Sequence, residues 1–193
     1  MAKVSGPLFS FGASGKLANS LVFMKWKGIA DVRQWLKPAN PKSTAQVTQR
    51  GVMTDAVAQW HDVGITAGDQ AAWNSWAGLQ AKPMSGFNKF VKEYIRITNA
   101  ADAWKLLFAG SAVPGAAGVL TVEVDSADEV TVVVAKYGTK KTLLLSEANL
   151  AFVAGVWTAS IAGLSSGVKY YVQFTQVAAG IEGISGIYEG NAG

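Results

Sequence analysis

Apolar and polar positions alternate from residue 20 to 36, then recur at three- and four-residue spacing to about residue 108, then alternate again to the end. In SLVFMKWK, Leu21, Phe23, Lys25 and Lys27 fall on one face of a strand and Val22, Met24 and Trp26 on the other. Gly28 sits where a turn is needed, and ADVRQWL resumes the extended pattern, so residues 20–36 read as a β-hairpin. The prolines of PANP, at 38 and 41, stop it as a stiff extended connector.

Three helices are predicted next. Ser43 or Thr44 caps the first, whose apolar stripe is Val52, Ala56, Trp60 and Val63. Thr66 with Asp69 three residues on gives an approximate capping box for the second, which carries Trp73, Trp76 and Leu79. Ser85 with Asn88 opens the third, where Phe87, Phe90, Val91, Tyr94 and Ile95 form the best helical stripe in the chain. A short fourth helix is expected around Ala100 to Phe108.

From about residue 110 the period changes. GSAVPGAAG reads as a small-residue linker, followed by strands at Val119–Val124, Val130–Lys136, Thr142–Leu145, Val156–Ile161, Lys169–Val177 and Ile184–Tyr188. Short strands at this density imply an antiparallel sandwich. The expected class is α+β, with a basic arm over 1–42, a helical domain over 43–108 and a sandwich over 118–190.

Charge sharpens the first of these divisions. Residues 1–50 hold eight cations and one acid, whereas residues 106–193 hold four cations and seven acids. Phe9, Phe11, Phe23, Trp26 and Trp35 are interleaved with the cations. Basic residues among aromatics suit a nucleic-acid surface. Alternating Lys25 and Lys27 with Met24 and Trp26 equally suits a two-sided hairpin meeting an acidic protein partner, or a merely solvated basic face. With half its residues hydrophobic, 16% charged and 21 glycines, the chain is globular in composition. Its apolar runs are too short for a bilayer, and MAKVSGPLF lacks the apolar core of a signal peptide, so no membrane role and a cytoplasmic origin are expected.

Catalytic chemistry is sparse. Cysteine is absent, which removes thiolate nucleophiles and Cys-based metal sites, and His61 is the single histidine. Gly12-Ala-Ser-Gly-Lys16 resembles part of a phosphate loop, but Ser10 and Leu17 stand where a glycine and a Ser/Thr are required. Glu123, Asp125, Asp128 and Glu129 cluster at a turn without the spacing of a calcium loop. The expectation is a protein that is not an enzyme, with no catalytic residue, cofactor or metal.

The combination SFGASGKLANSLVFMKWKGIADVRQWLKPANPKSTAQVTQR, GDQAAWNSWA and SGFNKFVKEYI, spanning about residues 8–98, resembles a segment of tailed-phage and prophage structural proteins. The resemblance implies a virion component, assembled in a host bacterial cytoplasm. A capsid decoration (cement) protein is the first reading, and a tail, neck or baseplate component the second. Partners would be other virion proteins and copies of itself in a homo-oligomeric assembly. A nucleic-acid- or glycan-binding module is the alternative from another class. In the C-terminal half, AGLSSGVKYYVQF resembles a fibronectin type III or immunoglobulin-like module. Leu164, Gly167 and Tyr170 match the turn in which a tyrosine makes a corner hydrogen bond. The usual core tryptophan of the early strand is missing, and Trp157 is the one tryptophan of this half. The residues expected to meet a partner are Phe11, Lys16, Lys25, Trp26, Lys27, Arg33, Trp35 and Lys37.

Overall fold

A computed structural model describes residues 2–3, 14–37, 39–62 and 64–193. The chain forms two compact units, Met1–Ser43 and Thr44–Gly193.

The first unit is a four-stranded antiparallel sheet of β1 (Ala2–Lys3), β2 (Gly15–Leu17), β3 (Leu21–Trp26) and β4 (Ile29–Gln34), in the order β1-β4-β3-β2. The predicted hairpin is therefore the centre of a larger sheet. Its turn is Lys27–Gly28, with φ of 49° and 84° at the two positions. Two successive positive φ values define the type I′ turn, whose twist matches the strands it joins. This takes Lys27 off the face where simple alternation placed it, because it is a turn residue and not a strand residue.

The second unit holds three helices and a sandwich. The helices are α1 (Thr44–Trp60), α2 (Ala67–Ala77) and α3 (Gly86–Asn99). The capping box at Thr66 forms: Asp69 N donates to Thr66 Oγ1 at 3.2 Å while Asp69 Oδ2 accepts from Thr66 N at 2.7 Å. Ser85 caps α3 through Asn88 N. Of the stripe expected on α1, Ala56 is buried and Trp60 half-buried, while Val63 lies outside the described residues.

Phe90 is the centre of the helical core. Its ring lies 5.3 Å from Trp60, 5.2 Å from Trp73 and 5.3 Å from Trp104, tilted or edge-on in each case. Such pairs add about 0.5–1.5 kcal/mol each beyond area burial. Four of the six tryptophans that precede residue 105, namely Trp60, Trp73, Trp76 and Trp104, thus pack as core.

The sandwich consists of β5 (Ala103–Trp104), β6 (Leu107–Pro114), β7 (Leu120–Ser126), β8 (Val133–Gly138), β9 (Ser146–Asn149), β10 (Ala151–Val153), β11 (Val156–Ile161), β12 (Lys169–Ala178) and β13 (Ile181–Asn191). One sheet runs β10-β11-β7-β6, and the other β5-β13-β12-β8-β9. Apart from the short β5, which joins β13 in parallel, all pairs are antiparallel. This is the strand order of immunoglobulin-like and fibronectin type III-like sandwiches. The corner tyrosine is in place, with Ser165 N donating to the Tyr170 hydroxyl at 3.1 Å. Leu120, Val122 and Val124 face Val172 and Phe174 across a dry core, all fully buried. Trp157 joins that core from β11 and donates through Nε1 to Asp128 O.

Five expectations change. The stretch read as a linker is mostly β6, and the fourth helix is replaced by β5 and the start of β6. Its small residues serve close packing, and so does Gly186 on β13. A Cβ at Gly186 would stand 2.4 Å from the backbone of Ala72 and Trp73, so helix and strand meet backbone to backbone. With α2 against β13 and β6, residues 44–193 are one unit, not a helical domain and a separate sandwich. Strand β8 begins at Val133, not Val130, because Asp128 Oδ1 accepts from Val130 N and Thr131 N and draws them from the ladder. The apolar Thr142–Leu145 run is not a strand; Leu143 and Leu145 are exposed, and the strand is the following Ser146–Asn149.

Candidate functional site

The basic sheet of the first unit gathers most of the residues expected to meet a partner. Residues 1–43 carry seven cations against Asp31 alone, a net charge of +6, while residues 44–193 carry ten cations and twelve acids. The strand register converts that excess into a surface. Lys16 pairs with Val22 and Val22 with Arg33, so the two cations flank one row on the same face. Met24 and Asp31 form the next row, and Trp26 and Ile29 the last, beside the turn. Trp35 continues this face beyond β4, and the Lys16 ammonium lies 4.6 Å from its ring centroid.

Exposure separates these residues into anchors and supports. Trp26 is 61% exposed and Ile29 47%, whereas Trp35 is half-buried and Asp31 buried. Lys25 belongs to the opposite face with Phe23, which is buried, and Lys27 stands on the turn itself. Lys37 is exposed beyond the last strand. Lys16, Trp26, Arg33 and Trp35 are therefore brought together, Lys25 is not, and Phe11 lies outside the described residues.

An indole, an isoleucine and two cations on one small face offer wide apolar contact with orienting charge. Among the described residues no three His, Asp or Glu side chains are placed to hold a metal ion. The acidic turn after β7 is a capped loop: Asp128 accepts from Val130 N, Thr131 N and the Thr131 hydroxyl. The backbone bond from Val130, the largest favourable influence, and those from Thr131 hold its carboxyl below the usual range against the opposing effect of desolvation. His61 sits exposed just beyond α1.

Two polar constellations of the second unit were not apparent in the sequence. Asp69 is 1% exposed and accepts from Ala109 N, Gly110 N and the Tyr188 hydroxyl, besides its contacts with Thr66. The Thr66-x-x-Asp69 signal revealed its capping role but not its partners some forty and 119 residues away. Lys89, Glu93, Arg96 and Glu182 form a chain of ion pairs at 2.5–2.7 Å, and the Lys89 ammonium lies 3.8 Å from the Trp76 ring centroid. Burial would raise Glu93, but hydrogen bonds from Lys89 and Arg96 win and hold its carboxyl below the ordinary value. A cleft of about 490 Å³ lies beside α2, lined by Gly68, Ala71, Ser75, Ser111, Lys141 and Glu189, among others. The Tyr188 hydroxyl in its wall is already donated to Asp69. These constellations hold α2 and α3 to the sandwich.

No protein-family model matches this chain, and no curated protein matches it. Solved structures resemble about half of it at low identity. A Fn3-like protein from Clostridium thermocellum is 19% identical, with a TM-score of 0.36, covering 48% of this chain and 95% of its own. A Br derivative of BhCBM56 is 16% identical, with a TM-score of 0.35, covering 42% and 88%. The endo-beta-1,4-mannanase from Thermotoga petrophila is 9% identical, with a TM-score of 0.32, covering 56% of this chain and 24% of the enzyme. The chain is an α+β protein whose β part is an immunoglobulin-like, fibronectin type III-like sandwich.

Proposed function

We propose that this chain is a non-enzymatic structural protein of a tailed-phage or prophage virion. In this reading it is a capsid decoration protein that docks on an acidic surface through its N-terminal sheet. The observation that carries the reading is the row Lys16–Val22–Arg33 on the same face as Trp26, two rows away, an exposed indole on a unit of net charge +6. A large exposed aromatic on a face that also carries cations is costly to leave in water and is suited to burial by a partner of opposite charge. The resemblance of residues 8–98 to virion proteins supplies the setting, and the sandwich is the portion left to project from the particle.

Protein content of purified particles tests it. The full-length chain is expected to be incorporated at high copy, and the variant carrying Trp26→Ala with Arg33→Glu to be lost from particles while remaining folded in the lysate. Incorporation of that variant at the wild-type level would end the docking reading. Enrichment of the wild-type chain in detached tails would move the assignment to a tail, neck or baseplate component.

A further inference from the structure

The sheet β10-β11-β7-β6 differs from the other two sheets in that its four strands contain no lysine or arginine. Burial alternates along β7, where Leu120, Val122 and Val124 point inward and Thr121, Glu123 and Asp125 outward. The register assembles outward rows. Ala151, Thr158, Glu123 and Ser111 form one, and Ser160, Thr121 and Val113 another. Val153 is 55% exposed and Val113 47%. The opposite sheet is different, for there Lys136 meets Glu147 and Lys169 meets Glu189. One sheet thus neutralises its own charge, while the other presents carboxylates, small hydroxyls and valines with no cation on its own strands, Lys141 standing at its β6 edge in the cleft that Ser111 and Val113 line.

We propose that this cation-free face receives the basic N-terminal sheet of a second copy of the same chain. The inference rests on the docking role proposed above and names one acidic surface that the sheet meets. Charge complementarity selects the occupant: Lys16 and Arg33 share a row on a unit of net charge +6, and Glu123 and Asp125 share a face without counter-ions on its own strands. The chemistry of the contact also agrees, since the adjacent pair Trp26 and Ile29 requires apolar ground and the adjacent pair Val153 and Val156, exposed and half-buried at one end of this face, provides it. A patch on one copy meeting a different patch on the next is a heterologous contact, which propagates into rings or arrays. Four strands about 4.8 Å apart, of eight, seven, six and three residues, cover roughly 300 Å² per side, well below the ~800 Å² of a standard interface. A single contact is therefore weak, and becomes effective where many copies are held side by side.

Sedimentation velocity of the full chain at rising concentration and low salt tests the inference, using two double variants. One is Glu123→Lys with Asp125→Lys, and the other Lys16→Glu with Arg33→Glu. Wild type is expected to self-associate, and each variant to do so about tenfold more weakly or worse. An equimolar mixture is expected to regain association, because each variant keeps the surface the other has lost; misfolded variants would not complement. A wild type that stays monomeric at every attainable concentration overturns the inference. So does a Glu123/Asp125 variant that associates like wild type. If the Lys16/Arg33 variant fails to enter particles yet self-associates normally, the docking function stands and this inference falls. If it enters particles normally, the docking function itself falls.

Discussion

The Tyr188 hydroxyl donates a 2.5 Å hydrogen bond to Asp69 Oδ1, joining the last strand to the first turn of α2 across 119 residues. The same carboxylate accepts from Ala109 N at 2.9 Å and Gly110 N at 3.1 Å, where β6 bulges out of register with β7 and Ala109 takes a φ of 50°. One buried side chain thereby caps a helix, satisfies a bulge and anchors a tyrosine. Helix, bulge and sandwich depend on one another through it.

Removing that carboxylate strands several donors at once. Asp69→Ala is expected to cost about 3 kcal/mol or more, because Ala109 N, Gly110 N and Tyr188 lose their acceptor, which is itself buried. Tyr188→Phe removes one donor and leaves the others paired, so about 1–2 kcal/mol is expected. Urea denaturation measures both. A cost below that of Tyr188→Phe for Asp69→Ala would show that the carboxylate does not couple the elements.

Alkaline pH acts on the same pair. Burial first, then the Asp69 charge, pushes the Tyr188 phenol well above its ordinary value of 10.0. A group raised in the folded state contributes stability that is complete below the unfolded value and is lost as pH rises towards the folded one. Stability should therefore fall above pH 10 more steeply in wild type than in Tyr188→Phe. In ultraviolet titration Tyr188 is expected to ionise only as the protein unfolds.

Acid acts on the ion-pair chain. Glu93 is lowered from 4.5, so its contribution is present above that value and disappears as pH falls through the folded one. Glu93→Gln should flatten the acid limb of the stability curve. At neutral pH it should cost about 2 kcal/mol or more, since Lys89, 5% exposed, keeps its charge beside the Trp76 ring after losing its carboxylate partner. Thermal unfolding at a series of pH values reads both effects.

The turn Lys27–Gly28 places a lysine at a φ of 49°, a region that asparagine tolerates better. Lys27→Asn creates the Asn-Gly sequence preferred in type I′ turns and should stabilise the N-terminal sheet by about 0.5–1 kcal/mol. Ala154 precedes Gly155 with φ of 53° and 92°, so Ala154→Asn is a matched control in the sandwich. Amide hydrogen exchange at Met24 and Trp26, which belong to the hydrogen-bonded pairs of the hairpin, should slow in the first variant alone.

Nucleic acid is the competing partner for the basic sheet, and salt distinguishes it. Binding through phosphates weakens steeply with salt, by about 0.9 in log–log slope per neutralised phosphate. The expectation is weak, sequence-independent DNA binding that vanishes at physiological salt. Tight binding there, abolished by Lys25→Glu with Lys27→Glu in a fluorescence titration, would make nucleic acid the better assignment.

Local signals in the sequence determined the local structure. The alternation of Leu21 to Trp26, the Thr66–Asp69 and Ser85–Asn88 caps and the Tyr170 corner each depend on residues a few positions apart, where backbone geometry decides the outcome. Charge along the chain likewise marked the basic unit. Tertiary structure decided whatever required partners distant in sequence. GSAVP reads as a linker because its residues are small, yet their smallness lets β6 and β13 run close together beneath α2. The tryptophans of the first half are alike by composition, but the ring of Phe90 gathers three of them, Trp60, Trp73 and Trp104, into core, while Trp26 stays exposed on a sheet. Asp69 shows the limit most plainly. Its capping role is written within four residues, whereas its bonds to Ala109, Gly110 and Tyr188 exist only because packing closed the loops between them. Periodicity encodes which side of an element is buried; which element covers it is settled by shape and by the need to pair every buried polar group.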